Sequence, residues 1–140
     1  MSRRLARELC MKVLFDMHMN NDFDLGKIKY HLEEENISGK QDDYIYTVLG
    51  KAIDNMVEID KIIEDYSEGW KLNRIANVDL AILRLALSEI LYMKDIPYRV
   101  SIDEAIELAK IYSSGETPSF INGILGSYAE REDLKKGERR

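Results

Sequence analysis

Apolar residues recur every three or four positions along most of the chain, which is the spacing of amphipathic helices. In the first segment they are Leu5, Ala6, Leu9, Cys10, Val13 and Met17, with Ser2 placed to act as the helix N-cap. A second pattern covers 24–36, and a third is helical throughout from Ile45 to Tyr66, although it is also compatible with a break near Glu58. The alternation typical of strands does not occur, so the pattern predicts an all-α fold.

The second half of the chain predicts three further helices. Residues 77–93 are apolar on nearly every side, which is typical of a central, buried helix. Ser101 and Glu104 have the spacing of a capping box and predict the start of a helix that ends near Gly115. Thr117 and Pro118 then predict the cap and first turn of the last helix.

A length of 140 residues is typical of one domain. The polar segment 67–70 interrupts the helical pattern and divides an N-terminal half, about 1–68, from a C-terminal half, about 69–130. We expect Trp70 to fill space between the halves. The charged tail, 131–140, is expected to be flexible.

Positive charge is local in a chain whose net charge is −6. Residues 1–15 carry four basic groups and one acidic group, whereas residues 16–68 carry five basic and fourteen acidic groups. This asymmetry favours one face for a polyanion and an acidic remainder. We expect no signal peptide, because the basic N-terminal residues are not followed by an apolar stretch with a cleavage site. No apolar run reaches the roughly 18 residues that a membrane span needs. A single cysteine, Cys10, fits a reducing compartment, so we expect a cytoplasmic protein without membrane contact.

Catalytic chemistry is not apparent in the sequence. His18 and His31 are the only histidines and Cys10 is the only thiol, so the spacings of a zinc site do not occur. Phosphate-binding glycine loops and dinucleotide fingerprints are missing as well. We therefore expect neither an enzyme nor a bound metal or cofactor.

The first helix places arginine and an aromatic ring on one flank. At about 100° per residue, Arg4 and Phe15 lie within roughly 40° of each other, with Arg7 about 60° from Arg4. Arginine pairs with phosphate, and an aromatic ring can stack on an unpaired base. The alternative is that Phe15 packs under another helix while the arginines are solvated.

The turn that leads into Phe120 and Asn122 is a second candidate, because a helix N-terminus offers free N–H groups to phosphate. Phe120 can equally be a core residue. Arg84 lies within the apolar helix and needs a partner there. Two alternatives remain for Arg84. One is a structural ion pair with Glu89, Asp103 or Glu104, and the other is a contact with phosphate.

The segments RRLARELCMKVLF, AILRLALSEILYMKDIPYRVSIDEAIELAK and FINGIL resemble the NusB family of transcription antitermination proteins in sequence and in order. The resemblance implies about seven helices in two small packed bundles. It also implies binding to the boxA element of ribosomal RNA leader transcripts, together with NusE, a small-subunit ribosomal protein. The pair would then load onto elongating RNA polymerase. Matched to this chain, the RNA-binding residues implied are Arg3, Arg4, Arg7, Phe15, Phe120 and Asn122, with Arg84 as a further candidate.

An acidic chain with a short arginine segment also fits a different class of protein. In that alternative, the domain is a helical protein-interaction scaffold without RNA binding of its own. A homodimer that masks the RNA-binding face is also compatible with the sequence.

Overall fold

Seven α-helices and one short 3₁₀-helix account for most of residues 1–34 and 39–132, the part of the chain that the computed structural model describes. The α-helices are α1 (Arg3–Met19), α2 (Gly26–Glu34), α3 (Asp42–Asp54), α4 (Met56–Tyr66), α5 (Asn77–Tyr92), α6 (Tyr98–Tyr112) and α7 (Thr117–Arg131). The 3₁₀-helix, Leu72–Arg74, connects α4 to α5. Over these described ranges there is no strand, and the all-α prediction is confirmed.

Helix α1 begins where the sequence predicts. The backbone N–H of Leu5 donates to the hydroxyl of Ser2 at 3.1 Å, so the serine caps the helix. The expectation that Leu5 belongs to the buried stripe is wrong, since 54% of this residue is exposed. Leu5 lies roughly 120° around the helix from buried Met17, at the edge of the packed arc.

The long third pattern is two helices and not one continuous helix, and the break lies earlier than Glu58. Helix α3 ends at Asp54 and α4 begins at Met56. Between them, the backbone and side-chain amides of Asn55 both donate to the carbonyl of Lys51, at 3.1 and 2.9 Å. These bonds satisfy a backbone carbonyl in the last turn of α3. Asn55 therefore caps the helix, and α3 ends there.

Helix α5 is the centre of the fold. Every residue in 79–90 is buried, and α5 packs against α1, α3, α4, α6 and α7. It runs antiparallel to α1, because Arg7 contacts Glu89 near one end and Met19 contacts Asn77 near the other. The three ionisable residues in its buried stretch, Asp79, Arg84 and Glu89, are therefore held in the interior.

The starts of α6 and α7 differ from the sequence prediction. Helix α6 begins at Tyr98, directly after Pro97, so Ser101 lies inside the helix and the capping-box prediction is wrong. The Ser101 hydroxyl is buried and donates to Glu89 at 2.8 Å instead. For α7 the N-cap position is Glu116, one residue before the expected Thr117.

Two predictions concern segments outside the described residues. The first is the prediction of a flexible tail at 131–140, of which residues 133–140 are not described. The second is the end of the second helix near Asn36, which falls in the undescribed segment 35–38. Among the helices that are described, none has the length and apolar character needed to cross a membrane.

Candidate nucleic-acid interface

The three N-terminal arginines point in different directions. Arg3 lies against α3, where its Nε donates to Gln41 at 2.6 Å and its guanidinium sits 4.3 Å from the ring centre of Tyr44. The side chain of Arg4 is 66% exposed and extends towards α6. Arg7 is buried. The fold therefore does not gather the three guanidinium groups into one patch.

Arg7 belongs to an interior polar network centred on Glu89. Its Nε and Nη2 donate to the two carboxylate oxygens of Glu89 at 2.8 and 3.1 Å. Tyr44 and Ser101 donate to the same carboxylate. Burial lowers the pKa of Arg7, but the hydrogen bonds and charge of Glu89 outweigh burial and raise the pKa overall. We expected Arg7 at a phosphate-binding surface, and the structure places it instead as the ion pair that joins α1 to α5.

Four side chains at helical spacing form the outward stripe of α1: Arg4, Glu8, Lys12 and Phe15. Tyr112 of α6 lies alongside it. The Lys12 ammonium is 5.3 Å from the ring centre of Tyr112, and the Tyr112 hydroxyl donates to Glu8. Phe15 is partly buried against the core, with part of its surface still exposed.

A carboxylate from α6 completes this surface. Glu104 accepts two hydrogen bonds from Arg4, at 3.1 and 3.2 Å, in the bidentate geometry that a phosphate would also use. These hydrogen bonds raise the pKa of Arg4. A phosphate that takes the same bidentate geometry on Arg4 must therefore displace Glu104. We call the six residues Arg4, Glu8, Lys12, Phe15, Glu104 and Tyr112 the α1–α6 face.

The second predicted segment lies at the start of α7. Asn122 is exposed, and Phe120 is partly buried, packed against the core on one side and open to a groove on the other. Trp70 lines the same groove. The expectation that Trp70 fills space between the halves is wrong, because 52% of it is exposed.

Arg84 has a structural partner. It donates to both oxygens of Asp60 on α4, at 2.9 and 2.8 Å, and one of its nitrogens lies 3.1 Å from Nδ1 of His18. The sequence left open an ion pair with Glu89, Asp103 or Glu104, and the partner is none of these. The Arg84 side chain is 4% exposed, so the guanidinium is directed into the protein.

Sequence reasoning missed Lys12 and Tyr112 as members of this surface. The signal for Lys12 was present, because it lies eight residues after Arg4 and therefore near the same helix face. Tyr112 gave no such signal, since its position depends on how α6 packs beside α1.

Two observations bear on other kinds of chemistry. Across residues 1–34 and 39–132, no group of three or more His, Cys, Asp or Glu side chains is placed to hold a metal ion. Cys10 is fully buried, and burial raises the pKa of its thiol. A buried thiol of this kind is ordinarily unreactive.

The fold and the α1–α6 face define a class of protein: an all-helical domain that presents cationic and aromatic side chains along one helix. The sequence model of the NusB family matches residues 4–130. The chain is 67% identical to transcription antitermination protein NusB of Alkaliphilus oremlandii, over 99% of this chain and 100% of that protein. It is 47% identical to the protein of the same name from Acetivibrio thermocellus, over 90% of this chain and 87% of that protein. The chain belongs to the NusB family.

Comparison with solved structures supports the same family. The chain is similar to NusB of T. maritima, with a TM-score of 0.84 and 37% identity, over 97% of this chain and 98% of that one. It is also similar to a chain in the crystal structure of antitermination factors NusB and NusE in complex with double-stranded RNA. There the TM-score is 0.82 and the identity 26%, over 92% of this chain and 96% of that one.

Proposed function

We propose that this protein is an RNA-binding adaptor in transcription antitermination. It binds boxA-type RNA of ribosomal RNA leader transcripts together with NusE and loads onto elongating RNA polymerase. Membership of the NusB family supports the proposal, as does the similarity to a NusB that was solved with NusE and RNA. Binding, with no catalytic step, accounts for the whole activity.

The observation that carries the proposal is the α1–α6 face. Arg4 and Lys12 neutralise phosphates, and the exposed part of Phe15 contacts an unpaired base. Glu8 and Glu104 lie among these cations and compete with phosphate. The face is therefore a weak RNA site by itself, and a partner such as NusE supplies the remaining contacts.

The acidic groups also favour a second candidate, the helical scaffold without RNA binding of its own. Arg7 is paired in the interior, Arg3 is held by α3 and Arg4 is paired with Glu104. In the scaffold alternative, these contacts persist when the protein is bound to its partners. The arginines then contribute to folding and not to RNA binding.

Fluorescence anisotropy with a labelled boxA-type single-stranded RNA separates the two candidates. Binding is measured with and without NusE, and against a scrambled RNA of the same composition. The adaptor function predicts that the boxA RNA binds more tightly than the scrambled RNA. It also predicts that NusE increases the affinity for the boxA RNA further. An affinity that ignores RNA sequence, and that NusE leaves unchanged, supports the scaffold instead.

A further inference from the structure

Trp70 and Phe120 line two adjoining cavities beside the start of α7. The volumes of the cavities are about 260 and 330 Å³. Both aromatic residues belong to the walls of both cavities, so the pair forms their shared boundary. Trp70 is the single tryptophan of the chain, and half of it is exposed. An indole exposed to this degree leaves a large flat surface without packing.

The backbone around Trp70 is fixed. The buried hydroxyl of Ser67 donates to the Trp70 carbonyl at 2.6 Å and to the Glu64 carbonyl at 3.0 Å. Gly69 has a φ of +90°, a conformation that side chains other than hydrogen rarely tolerate. Trp70 is thus held in an ordered turn and presented to the groove.

Phe120 is fixed from the opposite side. Asp79 on α5 accepts hydrogen bonds from Ser113 at 2.8 Å and from Thr117 at 3.4 Å. These bonds tie the end of α6 and the first turn of α7 to the central helix. Phe120 lies one turn beyond Thr117, so its position follows from the same anchoring.

Cations and carboxylates both lie at the groove. Arg74 lines the larger cavity, Lys71 follows Trp70 directly, and both are exposed. Neither forms an ion pair with any residue in the described ranges. Glu68 and Glu116 are exposed wall residues of the two cavities. Because the charges are mixed, electrostatic attraction of a phosphate backbone to the groove is weak. Stacking of a base on the aromatic rings does not depend on the net charge and is therefore the main attraction.

The end of α6 connects the groove to the α1–α6 face. Tyr112, a member of that face, is followed directly by Ser113, which is bonded to Asp79 in the wall of the groove. The aromatic pair is thus connected to the α1–α6 face through one residue of the chain and one hydrogen bond to the wall of the groove.

We propose that Trp70 and Phe120 form a stacking subsite for one unpaired base of the RNA, with Arg74 on an adjoining phosphate. The proposal rests on the RNA-binding function proposed above. Phe120 is already among the residues that the family resemblance implies, and the proposal adds Trp70 and Arg74, for which the sequence gave no RNA role. Single-stranded RNA is the occupant, because stacking on aromatic rings needs an unstacked base.

Trp70 is itself the probe for the test. The full-length protein is titrated with boxA-type single-stranded RNA, with and without NusE, while tryptophan emission and the anisotropy of labelled RNA are followed together. Because Trp70 is the only tryptophan of this chain, a base stacked on it quenches the emission over the same RNA concentrations that raise the anisotropy. NusE alone provides the baseline for any emission that the partner contributes or perturbs.

Three variants sharpen the result. Trp70→Ala is expected to weaken RNA binding between about 5-fold and 100-fold, the range for losing one stacked base. Phe120→Leu keeps apolar packing but removes the ring, and should reduce both quenching and affinity. Arg74→Gln should lower the salt dependence of binding by about one phosphate contact. Tyr46→Ala, an exposed aromatic residue of α3, is the matched control and should leave affinity unchanged.

Each other outcome overturns the proposal. RNA that raises anisotropy without changing Trp70 emission places the RNA elsewhere and leaves the adaptor function standing. Quenching by NusE alone, with no further change on adding RNA, identifies the groove as a protein contact. No RNA binding in either readout removes both the subsite and the proposed function.

Discussion

Arg7 on α1 and Glu89 on α5 form a buried bidentate ion pair, with N–O distances of 2.8 and 3.1 Å. The side chains are 6% and 1% exposed. Two hydroxyl groups also donate to Glu89, so the carboxylate is fully engaged inside the protein. An arginine that reads as RNA-binding in the sequence thus contributes to the fold, while its neighbour Arg4 remains at the surface.

Replacing Arg7 should affect stability, whereas replacing Arg4 should affect RNA binding. Arg7→Ala leaves the carboxylate of Glu89 buried without its counter-charge, and should lower the free energy of unfolding by about 3 kcal/mol. Arg4→Ala should leave the urea midpoint unchanged and weaken binding of boxA-type RNA. Urea unfolding and RNA anisotropy, measured on both variants, check this separation.

Arg7→Lys is the control, because it keeps the positive charge beside Glu89 but cannot form the bidentate hydrogen bonds. It should recover part of the stability lost in Arg7→Ala, because one cation remains beside Glu89. If Arg7→Ala were as stable as the parent and bound RNA more weakly, Arg7 would be a surface contact after all.

Removing the carboxylate of Glu104 should tighten RNA binding. Glu104→Gln frees the guanidinium of Arg4 from a competing anion and should raise affinity about twofold to fivefold at low salt. Asp65→Asn, which removes an exposed carboxylate that is paired with Lys61 on α4, is the comparison. A Glu104→Gln protein with reduced affinity would show that this carboxylate helps to build the RNA site.

Phe15 should contribute a stacking surface beyond its packing. Phe15→Leu retains an apolar side chain against the core, so the cost in stability should be below about 1.5 kcal/mol. Loss of the ring should weaken RNA binding at least about 5-fold. Phe23→Leu, another partly buried phenylalanine, should leave RNA affinity unchanged. Equal affinities for the parent and both variants would assign Phe15 to the core alone.

Asp79 should make stability depend on pH. Burial raises the pKa of Asp79 above its ordinary value of 3.8, and the hydroxyls of Ser113 and Thr117 lower it in part. The folded protein therefore holds this proton to a higher pH than the unfolded chain, and the stability it contributes is lost as pH rises through the folded pKa. Asp79→Asn does not titrate, and its side-chain carbonyl can still accept from Ser113.

Urea unfolding from roughly pH 3 to pH 7, a series that begins about one unit below the ordinary pKa of aspartate, tests this expectation. The parent should lose stability relative to Asp79→Asn as pH rises, and the difference should then level off. A parent that gains stability relative to the variant over that range would mean that Asp79 has a lowered pKa.

The helices could be predicted from the sequence because apolar periodicity is a local property. Ser2 caps α1 through a bond to the residue three positions on, and this too is local. At Ser101 prediction failed because a nearby proline and a distant contact together decided the outcome. Ser101 has the spacing of a helix cap, but Pro97 starts the helix earlier and Glu89 takes the serine hydroxyl.

The candidate site shows the same limit. The helical wheel placed Arg4 and Phe15 on one flank correctly, but it could not show that Glu89 of α5 lies opposite Arg7. That pairing depends on the antiparallel packing of α1 and α5. The exposure of Trp70 likewise depends on the turn that Ser67 and Gly69 fix, and a single tryptophan in an interrupted helical pattern is equally compatible with burial.

The central claim, that the α1–α6 face binds RNA, is tested most directly by the salt dependence of RNA binding. Binding of boxA-type RNA in the presence of NusE is measured over a salt series for the parent protein and for the double variant Arg4→Ala/Lys12→Ala. Two lost phosphate contacts should flatten the slope of log K against log salt by about 1.4, at 0.7 for each contact with a single strand. Lys61→Ala on α4, an exposed lysine paired with Asp65, should retain the parent slope. Identical slopes for the parent and the double variant would contradict the account, because the RNA would then bind without this face.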